Sequence, residues 1–309
     1  MATELPQIEP ASPQTVTFEA IMPAAMAVRA EDSGIRRAAL DPLAVLVLSI
    51  LGGAFVAFGA IFATTVSAGT FTSSDAAGLV QSTATLPYGV VRLLVGLAFC
   101  VGILMVIIAG AELFTGNNLV VMAWASGKVG TSALLLNWVL SFTGNALGAI
   151  LTAALAFVTT QYTFGGGSIG LVALNTAHAK AALPFWPAFT LGIMCNALVC
   201  LAVWMCFSAR TNIDRVVTAV PPIAAFAAAG FEHCIANAYF IPLGLFIRAG
   251  APDSFWKAIN KTAADFPELT WVNFVGNMIP VTAGNIVGGS LMVAAVYWFV
   301  YLRKPPNGA

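Results

Sequence analysis

The stretch FEHCIANAYF, Phe231 to Phe240, sits inside a run at 216–247 that is otherwise nearly all apolar. Glu232 and His233 stand side by side in it, and His233 is one of only two histidines in the chain. An unpaired charge at the centre of a bilayer costs about 2.5–3.5 kcal/mol on insertion scales. This acid and imidazole therefore belong inside protein or along a cavity, not against lipid.

The rest of the chain supports the membrane setting. Of its 309 residues, 59% are hydrophobic and 8% charged, against roughly 25% charged in a soluble domain. Mean hydropathy is +0.90. Formal net charge is zero, so nothing points to nucleic acid as a partner. The start, MATELPQIEP, lacks the basic residues and short apolar run of a cleavable signal peptide. Cys100, Cys195, Cys200, Cys206 and Cys234 all fall in apolar segments without zinc-ligand spacing, and read as small buried residues, not disulfides. No metal or other cofactor is expected.

A helix needs about 20 apolar residues to cross the hydrocarbon core. Six crossings fit: about 43–66, 89–109 with a continuation to 125, 133–158, 185–208, 216–247 (interrupted) and 272–301. The transmembrane domain thus spans 41–304, with tails at 1–40 and 305–309. Six spans place both termini on one side. That side carries Arg29, Arg36, Arg37, Lys128, Arg210, Arg215, Arg303 and Lys304; the other carries Lys180, Arg248, Lys257 and Lys261, with Arg92 at a boundary. The Lys/Arg excess marks the cytoplasmic side. Residues 17–37 read as an amphipathic helix on the inner surface or a partly ordered tail. Residues 67–88 and 248–270 read as ordinary outer connecting loops.

Two patterns repeat. GAELFTGN from Gly110 and GFEHCIAN from Gly230 are both G-x-E-x-x-x-x-N, matching Glu112 to Glu232 and Asn117 to Asn237. NWVLSFTGNALGA from Asn137 and NMIPVTAGNIVGG from Asn277 match Asn145 to Asn285 and Gly148 to Gly288. Two matches in the same order imply two halves of three spans each. The odd number inverts the second half, so the substrate site belongs where the halves meet. The glycines serve close helix packing, and Asn145 and Asn285 serve structural hydrogen bonds.

Each glutamate follows a glycine and precedes an asparagine, where a helix can break. Residues 110–118 and 230–237 are expected to be non-helical segments meeting at a pore, since broken helices persist at membrane depth only in protein or along a cavity. The two glutamates are expected to accept the backbone N–H groups freed by the breaks. His233 has no twin, because Leu113 holds its place, and Thr115 is matched only by Ile235. These asymmetric polar residues are the functional candidates.

GAELFTG, NTAHAK (Asn175 to Lys180), CNALVCLAVW (Cys195 to Trp204), GFEHCIAN and IPVTAGNIVGG together resemble the formate–nitrite transporter family over about residues 40–304. The resemblance implies an all-α, aquaporin-like fold of six helices in two inverted repeats, with helices 2 and 5 interrupted. It implies a homopentamer in the inner membrane, with one pore per protomer for small monovalent anions or their weak acids, formate foremost. By position it makes Thr115 and His233 the central polar pair with Glu232 supporting the break, and Lys180 the vestibule cation. It places Phe99, Ile103, Phe114, Val199 and Phe226 in two apolar constrictions, with Asn196 near them. Which constriction faces which side stays open, as does the choice between proton-coupled movement and anion passage through a gated pore.

Other readings fit less well. The chain has no Asn-Pro-Ala box of water channels, and His178, the second histidine, falls in an extramembrane loop, away from any paired-histidine pore. GGSIG (Gly166 to Gly170) satisfies G-x-S-x-G around Ser168, but in a glycine-rich loop without the strand that a nucleophile needs. FEHCI is not H-E-x-x-H. No enzymatic chemistry is expected.

Overall fold

The structure is a computed structural model that describes residues 19–68, 71–74, 80–84 and 86–303. The expected tail at 305–309, the first eighteen residues of the N-terminal segment and Lys304 lie outside the described residues. Before the first span runs α1 (Pro23–Ala38), which starts six residues after the expected 17–37 segment does and ends one residue beyond it. Then come α2 (Pro42–Ser67), the hairpin β1 (Phe71–Ser74) and β2 (Val80–Ala84), and α3 (Tyr88–Ala109). A break leads to α4 (Phe114–Asn117), a 3₁₀ turn, α5 (Val121–Ala125) and α6 (Thr131–Val158). The second half comprises α7 (Ser168–Ala181), α8 (Phe185–Cys206), α9 (Asn212–Ala229), α10 (Cys234–Gly250), α11 (Asp253–Ala258), α12 (Trp271–Ile286) and α13 (Val296–Tyr301).

Among the described residues five helices are long and apolar enough to cross a membrane, and α9 with α10, bent by 47°, brings the spans to six when taken as one. At about 1.5 Å per residue the 26 residues of α2 are longer than a ~30 Å hydrocarbon core. Its outward side chains, Leu43, Val47, Leu51, Phe58 and Phe62, stay exposed, as a face meeting lipid or a neighbouring subunit requires. The sixth span is continuous from Trp271 to Tyr301 and contains a π-helical stretch, Val287–Ala295.

The connections correct three expectations. Residues 67–88 hold an antiparallel hairpin with Phe71 opposite Ala84 and a register shift at Ser73/Ser74. The 248–270 segment is the end of α10, then α11 and a 3₁₀ turn at Ala263–Asp265, not plain loop. His178 stands on helix α7, its ring edge-on to Phe266 at 5.9 Å. Ser168 opens that helix behind Gly165, Gly166 and Gly167, all with positive φ, and the element before them is a 3₁₀ turn.

Helix packing repeats from half to half. α2 packs on α3 and α6, and α8 packs on α9 and α12, while α3 meets α9 across the halves. The glycines of the second repeat set the closeness. A Cβ on Gly148 would overlap the Ile50 carbonyl oxygen, and one on Gly288 would overlap that of Ile193. Gly144 and Gly284 meet the same obstruction at Leu46 and Phe189. Each pair of contacted residues is equally spaced in sequence, the mark of one motif used twice.

Gly288→Ala or Gly148→Ala should therefore force the paired helices apart and destabilise by about 1–3 kcal/mol. Gly89→Ala, with nothing within 4 Å of the added carbon, should not. Thermal unfolding of the purified protein in detergent compares the three.

Candidate functional site

Each break starts at a glycine that closes a helix in the left-handed conformation, Gly110 at φ 84° and Gly230 at φ 79°, where other residues are strained. Three residues later the chain is extended, Leu113 at φ −126° and His233 at φ −113°, and helix resumes at Phe114 and Cys234. The breaks are thus 110–113 and 230–233, shorter than the expected 110–118 and 230–237. Asn117 and Asn237 already lie in the resumed helices.

The reason is an amide clamp. Asn145 Oδ1 accepts the Phe114 N–H at 2.8 Å, and its Nδ2 donates to the carbonyls of Glu112 at 2.9 Å and Ser49 at 2.6 Å. Asn285 does the same for the other break: Cys234 N–H at 3.0 Å, Glu232 carbonyl at 2.9 Å, Gly192 carbonyl at 2.8 Å. Backbone polar groups away from water must be paired, and one fully buried asparagine per half pairs three of them.

The glutamates do something other than expected. Their carboxylates accept no freed backbone N–H; they hold side chains. Glu112 Oε2 accepts from Asn117 Nδ2 at 2.7 Å and Glu232 Oε2 from Asn237 Nδ2 at 2.6 Å. Those amides also donate to Asn137 Oδ1 at 3.0 Å and Asn277 Oδ1 at 2.8 Å. Each glutamate further meets a cation: Lys180 Nζ lies 2.6 Å from Glu232, and Arg37 lies 3.5 Å from Glu112 and also contacts Asn117 Oδ1. Asn277 Nδ2 then donates to the Lys180 carbonyl and Asn137 Nδ2 to that of Arg37. The repeat thus reaches beyond the spans and pairs α1 with α7, making Arg37 the counterpart of Lys180. α1 and α7 share no sequence motif, so only these bonds reveal it.

Two cavities flank the breaks. One, of about 450 Å³, is lined by Arg92, Phe99, Lys180, Phe226, Glu232 and His233 among others. The other, of about 490 Å³, is lined by Arg37, Ile103, Leu113, Gly116, Val199 and further residues. They share no described lining residue and lie at successive levels of α3, with Arg92, Val95 and Phe99 on one and Ile103, Val106 and Ile107 on the other. Phe99 and Phe226 therefore border the Lys180 cavity, their rings edge-to-face at 5.5 Å, while Ile103 and Val199 border the Arg37 cavity.

Phe114 is a correction. Its ring packs on Phe142 at 5.3 Å and Trp138 at 6.2 Å, against α6 and outside both linings. Leu113, the twin of His233, takes the lining position. The repeat already held that signal, since the residue opposite His233 faces the equivalent space.

The central pair links the two linings: His233 borders the Lys180 cavity, and Thr115, in neither lining, adjoins Gly116 of the Arg37 cavity. Thr115 Oγ1 and His233 Nε2 are 3.1 Å apart, the threonine fully buried and the histidine 1% exposed. His233 also caps α10: its Nδ1 accepts the Ala236 N–H at 3.2 Å. An accepting Nδ1 carries no proton, so the ring proton of the neutral imidazole sits on Nε2 and points at Thr115 Oγ1. The threonine hydroxyl is left free to donate onward. Phe226 lies nearly parallel to the imidazole at 5.9 Å. Asn196 does not line either cavity; its Nδ2 donates to the carbonyls of Thr115 at 3.2 Å and Asn285 at 2.7 Å, tying α8 to α4 and α12.

Arg92, at a span boundary by sequence, was not singled out as a site residue. It donates to the carbonyls of Ala228 at 2.7 Å and Ala227 at 2.8 Å, the open end of α9, and makes no ion pair among the described residues. With Lys180 paired to Glu232, Arg92 is the uncompensated cation of that cavity.

Two half-helices meeting at a polar point between two cavities, inside an inverted repeat, define a membrane channel or transporter. Residues 24–299 match the formate/nitrite transporter family model, and the chain belongs to that family. It is 40% identical over 288 residues to the formate channel FocA of Escherichia coli K12, covering 93% of this chain and 96% of that protein. It is 30% identical to the formate channel BtFdhC of Bacillus thuringiensis, over 89% of this chain and 94% of that one. A solved pentameric formate channel with formate bound superposes with a TM-score of 0.75 at 41% identity, covering 85% of this chain and 98% of the other.

Asn285→Ala removes one acceptor and two donors that nothing else in the fold replaces. At roughly 1–3 kcal/mol for each buried group left unpaired, thermal unfolding should show a loss several times that of an exposed substitution. Lys180→Met should cost about 3–5 kcal/mol by stranding Glu232, whose side chain is 6% exposed. Adding Glu232→Gln to the same chain should recover most of that loss.

Proposed function

We propose that each protomer carries formate, or its acid, between the two cavities through the Thr115–His233 point, and that the protein assembles as a homopentamer in the cell's inner membrane with both termini cytoplasmic. The observation that carries the reading is the central pair itself: one hydroxyl and one imidazole N–H, buried with His233 on the wall of one cavity and Thr115 next to Gly116 on the wall of the other. The pentameric formate channel that the chain resembles at 41% identity supports the cargo and the assembly. The basic residues on the side of α1 support the orientation.

The chemistry follows from solvation. Apolar walls at Phe99 and Phe226 on one side and Ile103, Leu113 and Val199 on the other offer a hydrated ion nothing to replace its water. Desolvating a full charge in such surroundings is very costly. Arg92 raises the local anion concentration at one mouth, where Lys180 is paired with Glu232, and Arg36 and Arg215 raise it at the other, where Arg37 is paired with Glu112. At the midpoint the Thr115 hydroxyl and the His233 Nε2–H supply the hydrogen bonds that a carboxylate or a carboxylic acid loses on entry. His233 acts here as a fixed donor. Relaying a proton through its ring would require protonating Nδ1, which gives up the cap on α10.

Flux of labelled formate into proteoliposomes tests this between about pH 5 and 8, the range in which an ordinary histidine titrates. His233→Ala should slow formate across the whole range without shifting the pH profile, as loss of a fixed donor requires, and Thr115→Val should slow formate while leaving the fold intact. Unchanged formate and nitrite flux in both variants across that range would show that the solute does not pass this point.

A further inference from the structure

The two cavities differ in charge. The Lys180 cavity sets two cations, Arg92 and Lys180, against Glu232. Among its described lining residues the Arg37 cavity gathers four guanidinium groups, Arg29, Arg36 and Arg37 from α1 and Arg215 from the first turn of α9, against one carboxylate, Asp32. Arg37 is engaged with Glu112, and Arg29 donates to the Phe207 carbonyl at 3.3 Å. The side chains of Arg36 and Arg215 have no hydrogen-bond or ion-pair partner among the described residues. They reach the same space from two different helices, above an apolar floor.

We infer that the Arg37 cavity is a binding site for a polyvalent phosphate-class anion, which occupies the mouth and blocks it. Guanidinium is the side chain whose planar fork matches phosphate oxygens in pairs, and several converging forks suit a multiply charged oxyanion better than a lone carboxylate. Collecting a small monovalent anion needs only a diffuse positive field, which one unpaired guanidinium already supplies. A polyvalent anion held here has no way onward. The Born cost of leaving water grows with the square of charge, so the apolar floor that slows formate stops a dianion. The site therefore makes flux sensitive to phosphate compounds on the face that carries α1, and on that face alone. This blocking role rests on the channel reading; the binding site itself does not.

Two measurements with inorganic pyrophosphate test it, each against chloride at matched ionic strength to remove general screening. Calorimetry on the purified full-length protein in detergent reads binding directly. Formate flux in phosphatidylcholine proteoliposomes, with pyrophosphate added to one face at a time, reads block. Pyrophosphate should bind, and should inhibit only from the face of α1. Arg36→Gln with Arg215→Gln should weaken both effects by about tenfold or more, the scale of one or two charge-assisted contacts. Binding no stronger than chloride, equal inhibition from both faces, or inhibition undiminished in the double variant would each overturn the inference. A loss of formate affinity in the double variant without any pyrophosphate binding would also overturn it and make the cluster a simple anion collector. Pyrophosphate binding that weakens as foreseen, in a protein that passes no formate, would keep the site and refute the channel.

Discussion

Breaking a helix inside a membrane strands backbone amides and carbonyls where water cannot reach them, and everything else in this protein follows from how that is solved. One buried asparagine per half, Asn145 and Asn285, accepts the first N–H of the resumed helix and donates to two carbonyls. Unpaired, each such group would cost several kcal/mol in hydrocarbon. With the clamps pairing the Phe114 and Cys234 N–H groups, and the Leu48 and Leu191 carbonyls pairing those of Glu112 and Glu232, the glutamate side chains are released for a second task, anchoring a cation and an asparagine pair at each end of the conduit.

That division of labour gives two nearly identical frames with different contents. Leu113 and His233 occupy the same capping position of the two resumed helices, yet one offers a methyl surface and the other a ring nitrogen. Function sits in this departure from symmetry. The frame fixes where the two residues point, and the sequence is then free to make the conduit polar at one level and apolar just beside it. The same holds for the cavities: Arg37 and Lys180 are equivalent in the frame, but the Lys180 cavity adds one further guanidinium, Arg92, and the α1 side adds three, Arg29, Arg36 and Arg215.

Much of this was legible in the residues. The paired G-x-E-x-x-x-x-N and N-x₆-G-N-x-x-G motifs exposed the repeat, and with it the breaks, the glycine contacts and the Thr115–His233 asymmetry. The role of the glutamates was not legible, because a carboxylate beside a glycine is equally consistent with capping the backbone and with holding a side chain. Only the geometry of Asn145 and Asn285 decides. Arg37 was hidden because α1 and α7 are related by hydrogen bonds and not by sequence. Phe114 misled because it adjoins the lining residue, and one position along a chain entering a helix reverses the direction of the side chain. The helices at 168–181 and 253–258 were missed because 14 and 6 residues are too few to cross a membrane and neither carries an apolar periodicity that separates it from a loop.

An experimental map of the purified assembly in saturating formate tests the central claim most directly. Density for formate within hydrogen-bonding distance of Thr115 Oγ1 and His233 Nε2, once in every protomer, is the expected result. Formate ordered only along the axis between protomers, or a Thr115–His233 contact sealed by packed side chains with no passage to either cavity, would contradict it.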